Sequence, residues 1–244
     1  MRGRVVKRVL LAVGLIGLAS WTGWQAACVG WASFQSMEAR ATLARALQKG
    51  TAPAAREWAA ARDGFLAALQ WDAENPEYHQ GDADLYMVRL ARVAGDPKNM
   101  APYFDIALRH YAKAALLRPT WPFSHNGIVA AKSQQGHFDA QFKQALVLAA
   151  RYGPWESGVQ QVLITAGYRA WPSLDEAERE VIRGNLRRAH QWRPQPTAAQ
   201  LTSLARNLPP CHELQVDVPG ACRASGQEAT PPEKPTTRSR KPAR

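Results

Sequence analysis

The side chains best suited to metal or redox chemistry lie near the C-terminus: Cys211, His212 and Cys222, in CHELQVDVPGAC. A structural zinc site wants four ligands, and no fourth stands at a usable spacing, so no metal is expected. In an oxidising compartment Cys211 and Cys222 can pair, which in the chain-entropy picture stabilises a short loop by up to about 3 kcal/mol. Two free thiols in a flexible tail are the alternative. Glu77, Asp82 and Asp84 form an acidic cluster beside a helix start, where the helix dipole favours negative charge. A glycosidase needs two carboxylates at a fixed separation across a cleft, and a sequence does not display that separation. The histidines, His79, His110, His125, His137, His190 and His212, have no second ligand at i, i+4. There is no glycine-rich phosphate loop, no Gly-x-Ser-x-Gly elbow and no His-Glu-x-x-His pair. Neither a cofactor nor a catalytic residue is expected, and binding is favoured over bond-making.

The elements that carry these residues begin with a membrane signal. Between Arg8 and Glu38 lies an uncharged stretch, VLLAVGLIGLASWTGWQAACVGWASFQSM. About 20 apolar residues span a bilayer, and Trp21, Trp24 and Trp31 suit its outer interface. Arg2, Arg4, Lys7 and Arg8 favour a cytoplasmic N-terminus, with the bulk of the chain outside. A cleaved signal peptide has a shorter apolar core, of about 7–15 residues, and a small-x-small site. This stretch is longer and has no clean site, so a retained anchor in the bacterial inner membrane is expected. A lipoprotein reading with Cys28 lipidated founders on Gln25, where an aliphatic residue belongs.

The formal charge of +11 is concentrated at the ends. Residues 2–8 and 223–244 carry +4 each, leaving +3 for the body. Nucleic-acid binding would want a basic face on a folded surface, and none is expected. The tail RASGQEATPPEKPTTRSRKPAR lacks apolar residues to offset its ordering entropy and reads as disordered.

Hydrophobic periodicity predicts helix throughout. The predicted helices cover about 54–71, 77–92, 101–117, 123–135, 137–152, 155–170, 174–191 and 197–207, with Ser173 and Glu176 forming a capping box. The expected organisation is a basic arm at 1–8, a transmembrane helix at 9–34, and a juxtamembrane helix and linker at 35–53. An all-α domain of seven or eight helices follows at 54–208, then a loop and disordered tail at 209–244.

The spacing Ala107, Tyr111, Ala114, Pro119 resembles the second helix of a tetratricopeptide repeat, a helical hairpin of about 34 residues. Ala61, Phe65 and Ala68 repeat the spacing, with Ala73 in place of the proline. Ala83 and Tyr86 take the small and aromatic positions of a first helix, and Gly136 and Phe138 in GHFDA resemble the family's inter-helix turn. Ala73 and Pro119 are 46 residues apart, and the excess over one repeat is expected in a loop near 93–102. Lys132 stands where a first-helix aromatic is usual. The resemblance implies stacked hairpins with a concave surface. By repeat position Gln80, Asp84, Met87 and Val88 in one unit, and Asn126, Ala130, Ser133 and Gln134 in another, face it and form the expected partner groove. With so few units, simple solvation of these residues is the alternative.

A narrower resemblance rests on the basic anchor together with GHFDAQFKQAL, RYGPWESGVQ and AWPSLDEAER, in which Trp155 and Trp171 stand beside prolines. These are similar to the VpsP-type family of bacterial exopolysaccharide biosynthesis proteins. That resemblance implies a membrane-anchored accessory protein whose partners are other proteins of polysaccharide assembly or export. A periplasmic helical enzyme acting on a glycan is the alternative.

Overall fold

The computed structural model describes residues 2–93 and 97–205. The described residues form nine α-helices and no strand. They are α1 (Arg2–Lys49), α2 (Ala55–Trp71), α3 (Pro76–Val93), α4 (Pro97–Leu117) and α5 (Pro122–Gln135). α6 (Ala140–Tyr152), α7 (Ser157–Ala170), α8 (Glu176–Trp192) and α9 (Pro194–Ala205) follow, with a 3-10 turn at Trp171–Ser173. Cys211, Cys222, His212 and the basic tail lie outside the described residues.

Local chemistry sets the boundaries. Proline opens α3, α4, α5 and α9, where its missing N–H is one that a helix start leaves unpaired anyway. Asn75 Oδ1 accepts from the Glu77 amide at 2.9 Å and caps α3. Gly136 closes α5 at φ 70°, ψ 20°, a left-handed conformation that costs glycine little. Asp139 then caps α6, its Oδ1 accepting from the Phe142 amide at 3.0 Å. Lys132, nearly buried, donates to Asp139 Oδ2 at 2.6 Å and ties α5 to the start of α6. That bond accounts for a lysine at a position the repeat pattern gives to an aromatic.

The helices pair antiparallel in chain order. In α1/α2, Gly64 sits against Gln35 and Ala39, while Glu57 and Arg45 line one cleft at the other end. In α3/α4, Glu74 meets Lys113, His79 meets His110, and the Tyr86 ring meets Tyr103. In α5/α6 the turn pair Lys132–Asp139 and the rings of His125 and Tyr152 mark the two ends. In α7/α8, Gly167 meets Ile182, Asn185 donates to the Gln160 carbonyl, and Arg193 reaches the Ser157 carbonyl. Each hairpin then packs on the next, α2 and α1 on α3, α4 and α3 on α5, α6 and α5 on α7. The odd-numbered helices therefore form one layer and the even-numbered helices the other.

Two seams between hairpins are built alike. The Phe65 ring lies on Gly81, and the Tyr111 ring lies on Gly127. A Cβ at Gly81 would come within 2.6 Å of Phe65, and one at Gly127 within 2.3 Å of Tyr111. Ala61, Ala68, Ala107 and Ala114 flank the rings and are fully buried, so the helices approach closely. Ala83 and Tyr86 are buried on α3, where Trp58 stands edge-on to Tyr86 at 5.3 Å and donates Nε1–H to the Leu85 carbonyl at 3.1 Å. Turn carbonyls repeat as well. Ala73 O is met by His79 Nε2 at 3.0 Å, Pro119 O by His125 Nε2 at 2.8 Å, and Pro154 O by Gln160 Nε2 at 2.9 Å. In all three the side chain lies six residues after the carbonyl.

Three expectations change. The packed unit takes in α1 from Ala32 onward, with Ala32, Ala39, Leu43 and Ala46 buried. Residues 50–54 are thus the turn of the first hairpin rather than a linker ahead of a domain at 54. Within the stretch 93–102, Val93 closes α3 and 97–102 are the start of α4, so the described part of the excess is helix, not loop: α3 and α4 have 18 and 21 residues against 14 and 13 for α5 and α6. The N-cap of α8 is Asp175, not Ser173; its Oδ1 accepts from the Glu178 amide at 2.8 Å, and Glu178 accepts in return from the Asp175 amide. Both registers fit the capping pattern, and buried Leu174 selects the later one.

α1 is also the one described helix long and apolar enough to cross a membrane, with mean hydropathy 1.3 in its best window and none of that window buried. Such a helix is equally consistent with a signal sequence. Gly127→Ala tests the second seam. Alanine favours helix by about 1 kcal/mol, but Tyr111 cannot retreat, because its hydroxyl is held by Asp84. A net loss of about 1–3 kcal/mol in denaturant unfolding is expected, and a gain in stability would show the seam to be loose.

Candidate functional site

The odd-numbered layer carries two clefts. The larger, of about 660 Å³, lies among α5, α7 and α9. Ala130, Ser133 and Gln134 of α5 line it, opposite Gln161, Thr165 and Arg169 of α7 and Gln200 of α9. Gln200 Nε2 donates to the Gln161 carbonyl at 2.7 Å and to Thr165 Oγ1 at 2.9 Å, which fixes α9 as the far wall. Ser133 Oγ is buried with no hydrogen-bond partner among the described residues. The lining mixes amides, hydroxyls and one guanidinium with apolar Ala130, Val162, Ala166 and Pro196, and has no carboxylate. It can hydrogen-bond a polar ligand, but it holds no acid–base pair.

The smaller cleft, of about 420 Å³, lies between α1 and α3 and is closed at one end by Arg118 and Trp121. Gln80 and Asp84 line it, with Glu77, Arg40 and Leu43. Asp84 Oδ1 accepts from Tyr111 Oη at 2.7 Å and from Gln80 Nε2 at 3.0 Å, and Gln80 Oε1 accepts from Ser124 Oγ at 2.7 Å. This chain links α3, α4 and α5 across the second seam. Burial pushes the Asp84 carboxyl up to about 6, against the pull of those two donors.

The predicted groove residues thus divide. Gln80 and Asp84 line the α1/α3 cleft; Ala130, Ser133 and Gln134 line the α5/α7/α9 cleft. Met87 and Val88 are half-buried and pack against the core instead. Asn126 is half-buried, and its Oδ1 is buried without a partner among the described residues. Pro119 and Gly136 are exposed turn residues, while Phe138 packs edge-on to Phe142 at 5.2 Å. The α7 and α9 walls were missed, because the repeat pattern was read only as far as α6.

A second polar group lies between α3 and α4. His79 Nδ1 and His110 Nδ1 are 3.3 Å apart, and His110 Nε2 faces Asp82 Oδ2 at 3.4 Å. Since His79 Nε2–H donates to the Ala73 carbonyl, its Nδ1 accepts from His110 Nδ1–H. His110 Nε2 then presents a lone pair to Asp82. Burial pushes the Asp82 carboxyl up to about 7, with Arg62 opposing. Burial, followed by His79 and Arg109, pushes His110 down to about 4. The favoured arrangement is a neutral one, with the proton on Asp82. Asp82 and Asp84 turn to different partners, and Asp82 is fully buried, so they do not make a catalytic pair.

No group of three or more His, Cys, Asp or Glu side chains suited to a metal ion occurs among the described residues. No protein-family model, no curated protein and no solved structure matches the chain. The fold and the clefts therefore define it: an all-helical stack of hairpins with a polar face.

The Asp82–His110 pair has a calculable effect on stability. Between pH of about 4 and 6.5 the native pair and the unfolded chain bind one proton each, on different atoms, so the pair adds no slope. Above 6.5 the unfolded chain has lost that proton and the native Asp82 still holds it, so stability falls until about pH 7. A drop in Tm on the order of 2 °C is expected for the full chain in detergent across that window. Asp82→Asn, which keeps an N–H facing His110 and cannot ionise, should flatten it. An unchanged slope in the variant would refute the neutral arrangement.

Proposed function

We propose that the chain is a membrane-anchored scaffold with tetratricopeptide-like repeats, whose odd-numbered layer holds partner proteins of exopolysaccharide assembly or export. α1 anchors it in the bacterial inner membrane, N-terminus inside, and the hairpins lie in the periplasm. The observation that carries this reading is the open α5/α7/α9 cleft, where Gln134, Gln161 and Arg169 stand exposed among apolar side chains. The two amides can donate and accept, and the guanidinium can donate, toward a partner's backbone or side chains. The repeated ring-on-glycine seams and turn-carbonyl caps support the repeat assignment. The assignment to exopolysaccharide assembly rests on the sequence resemblance alone.

A photo-crosslinking residue in place of Gln134 or Gln161 is the test, with exposed Gln144 on α6 as the control. The cleft positions should capture glycan-assembly membrane proteins several-fold more than position 144. Equal capture at all three, or none, refutes the scaffold.

One feature favours a second reading, a glycan-cleaving enzyme. Glu77 and Asp84 line one cleft, seven residues or ~10 Å of helix apart, and Asp84 titrates near 6. Polysaccharide turnover by purified protein, abolished by Asp84→Asn, would establish it over the scaffold.

A further inference from the structure

The antiparallel pairing sorts every helix end to one of two edges. α1 enters the first hairpin at Ala32, within the last turns of its uncharged stretch, and Gly64 of α2 lies opposite Gln35 and Ala39. The end of α2, at Trp71, is therefore level with Trp31 of α1. The same edge then takes the end of α4, the α6–α7 turn and the end of α8. Contacts along it are direct. Lys113 Nζ donates to Glu74 Oε1 at 3.0 Å, Gly153 abuts Pro122, and the Trp155 and Trp192 rings meet at 6.3 Å.

The tryptophans of the hairpins follow this division, apart from Trp121 at the α4–α5 turn, which is half-buried under Arg118. On the edge continuous with the apolar end of α1, Trp71, Trp155 and Trp192 are 44%, 54% and 58% exposed, and Leu116 is 75% exposed. On the opposite edge Trp58 and Trp171 are buried, at 9% and 7%. Exposed indoles are costly in water and favoured at a bilayer's headgroup level.

We propose that this edge lies on the membrane that α1 crosses, with Trp71, Trp155 and Trp192 seated among the lipid headgroups. The inference rests on the spanning role of α1. A spanning helix stands within about 20° of the membrane normal on average, and α1 is itself one half of the first hairpin. The hairpin axes therefore run along the normal, the stack extends parallel to the bilayer, and successive turns of one edge face it. Charge is not the attraction. Asp72, Glu74 and Glu156 offset Lys113, Arg118 and Arg151 along this edge, so the contact persists on a zwitterionic lipid.

The test uses the full chain with Cys28, Cys211 and Cys222 replaced by serine, reconstituted in phosphatidylcholine vesicles. Spin labels go singly at Trp155→Cys and Trp192→Cys, at Leu15→Cys inside the span, and at Pro172→Cys on the far edge. Accessibility is read as the ratio of oxygen to nickel-chelate relaxation, and circular dichroism checks that each variant keeps its helix content. Labels at 155 and 192 should give ratios several-fold above 172 and below 15. Ratios at 155 and 192 equal to that at 172, with 15 in lipid, overturn the edge contact alone. An aqueous label at 15 overturns the spanning role and the edge contact with it.

Discussion

A ring laid on a glycine sets the spacing of this molecule. Phe65 on Gly81 and Tyr111 on Gly127 bring the second helix of one hairpin to the first helix of the next at a distance that a Cβ in place of either glycine's hydrogen would block. Fully burying such a ring contributes about 1.5–3 kcal/mol, and the flanking alanines let the backbones close around it. Hairpins so joined form two layers, and the layer of odd-numbered helices is the one that opens into clefts. Remove the glycine and the hairpins must separate or rotate, which changes the shape of the polar face far from the seam.

The same seams carry buried polar groups that an apolar core would do without. Tyr111 could be phenylalanine on packing grounds, yet its hydroxyl donates to Asp84, which also holds Gln80, which in turn holds Ser124. A chain of this kind is favourable only when each member is satisfied, and here each bond crosses or braces a helix contact. It therefore fixes the register in which α3, α4 and α5 meet, where ring and alanine contacts alone would tolerate a slip. Asp82 and His110 do the same between α3 and α4, with the proton shared out so that neither is charged. That solution avoids the large cost of a buried ion, and it makes the stability of the hairpin sensitive to pH.

Much of this was legible in the sequence, for identifiable reasons. Helix positions followed from apolar periodicity, but α4 and α9 begin at Pro97 and Pro194, ahead of the expected starts near 101 and 197. The aromatic–alanine spacing marked Phe65 and Tyr111 as seam residues, but not the glycines that receive them. Those lie sixteen residues on in both cases, and a glycine inside a helix reads only as a weak point until its neighbour is known. The His79, His125 and Gln160 caps were invisible for a similar reason, since a repeated function was carried by two residue types. The break at 49–53 was read as the edge of a domain because it ends a helix. A helix end is also what a hairpin requires, and burial of Ala32 to Ala46 decides between the two. Of the groove, the α3 and α5 walls could be placed by repeat position. The α7 and α9 walls could not, because Gln161, Thr165 and Gln200 belong to units whose spacing no longer follows the pattern.

The continuity of α1 joins the two halves of the argument. A flexible linker between anchor and domain would leave the clefts free to face any direction. Here the residues that leave the apolar stretch are the residues that pack on α2, with no proline or glycine between Ala32 and Lys49 to act as a hinge. Orientation is then a property of the fold rather than of a linker. The α1/α3 cleft, closed by Arg118 and Trp121, runs beside the packed part of α1, along Arg40 to Leu47. The α5/α7/α9 cleft lies farther along the stack and turns its amides to the same side. On the proposed spanning role of α1, a partner bound there would meet the protein at a fixed height and angle over the bilayer, which is what the proposed scaffold requires.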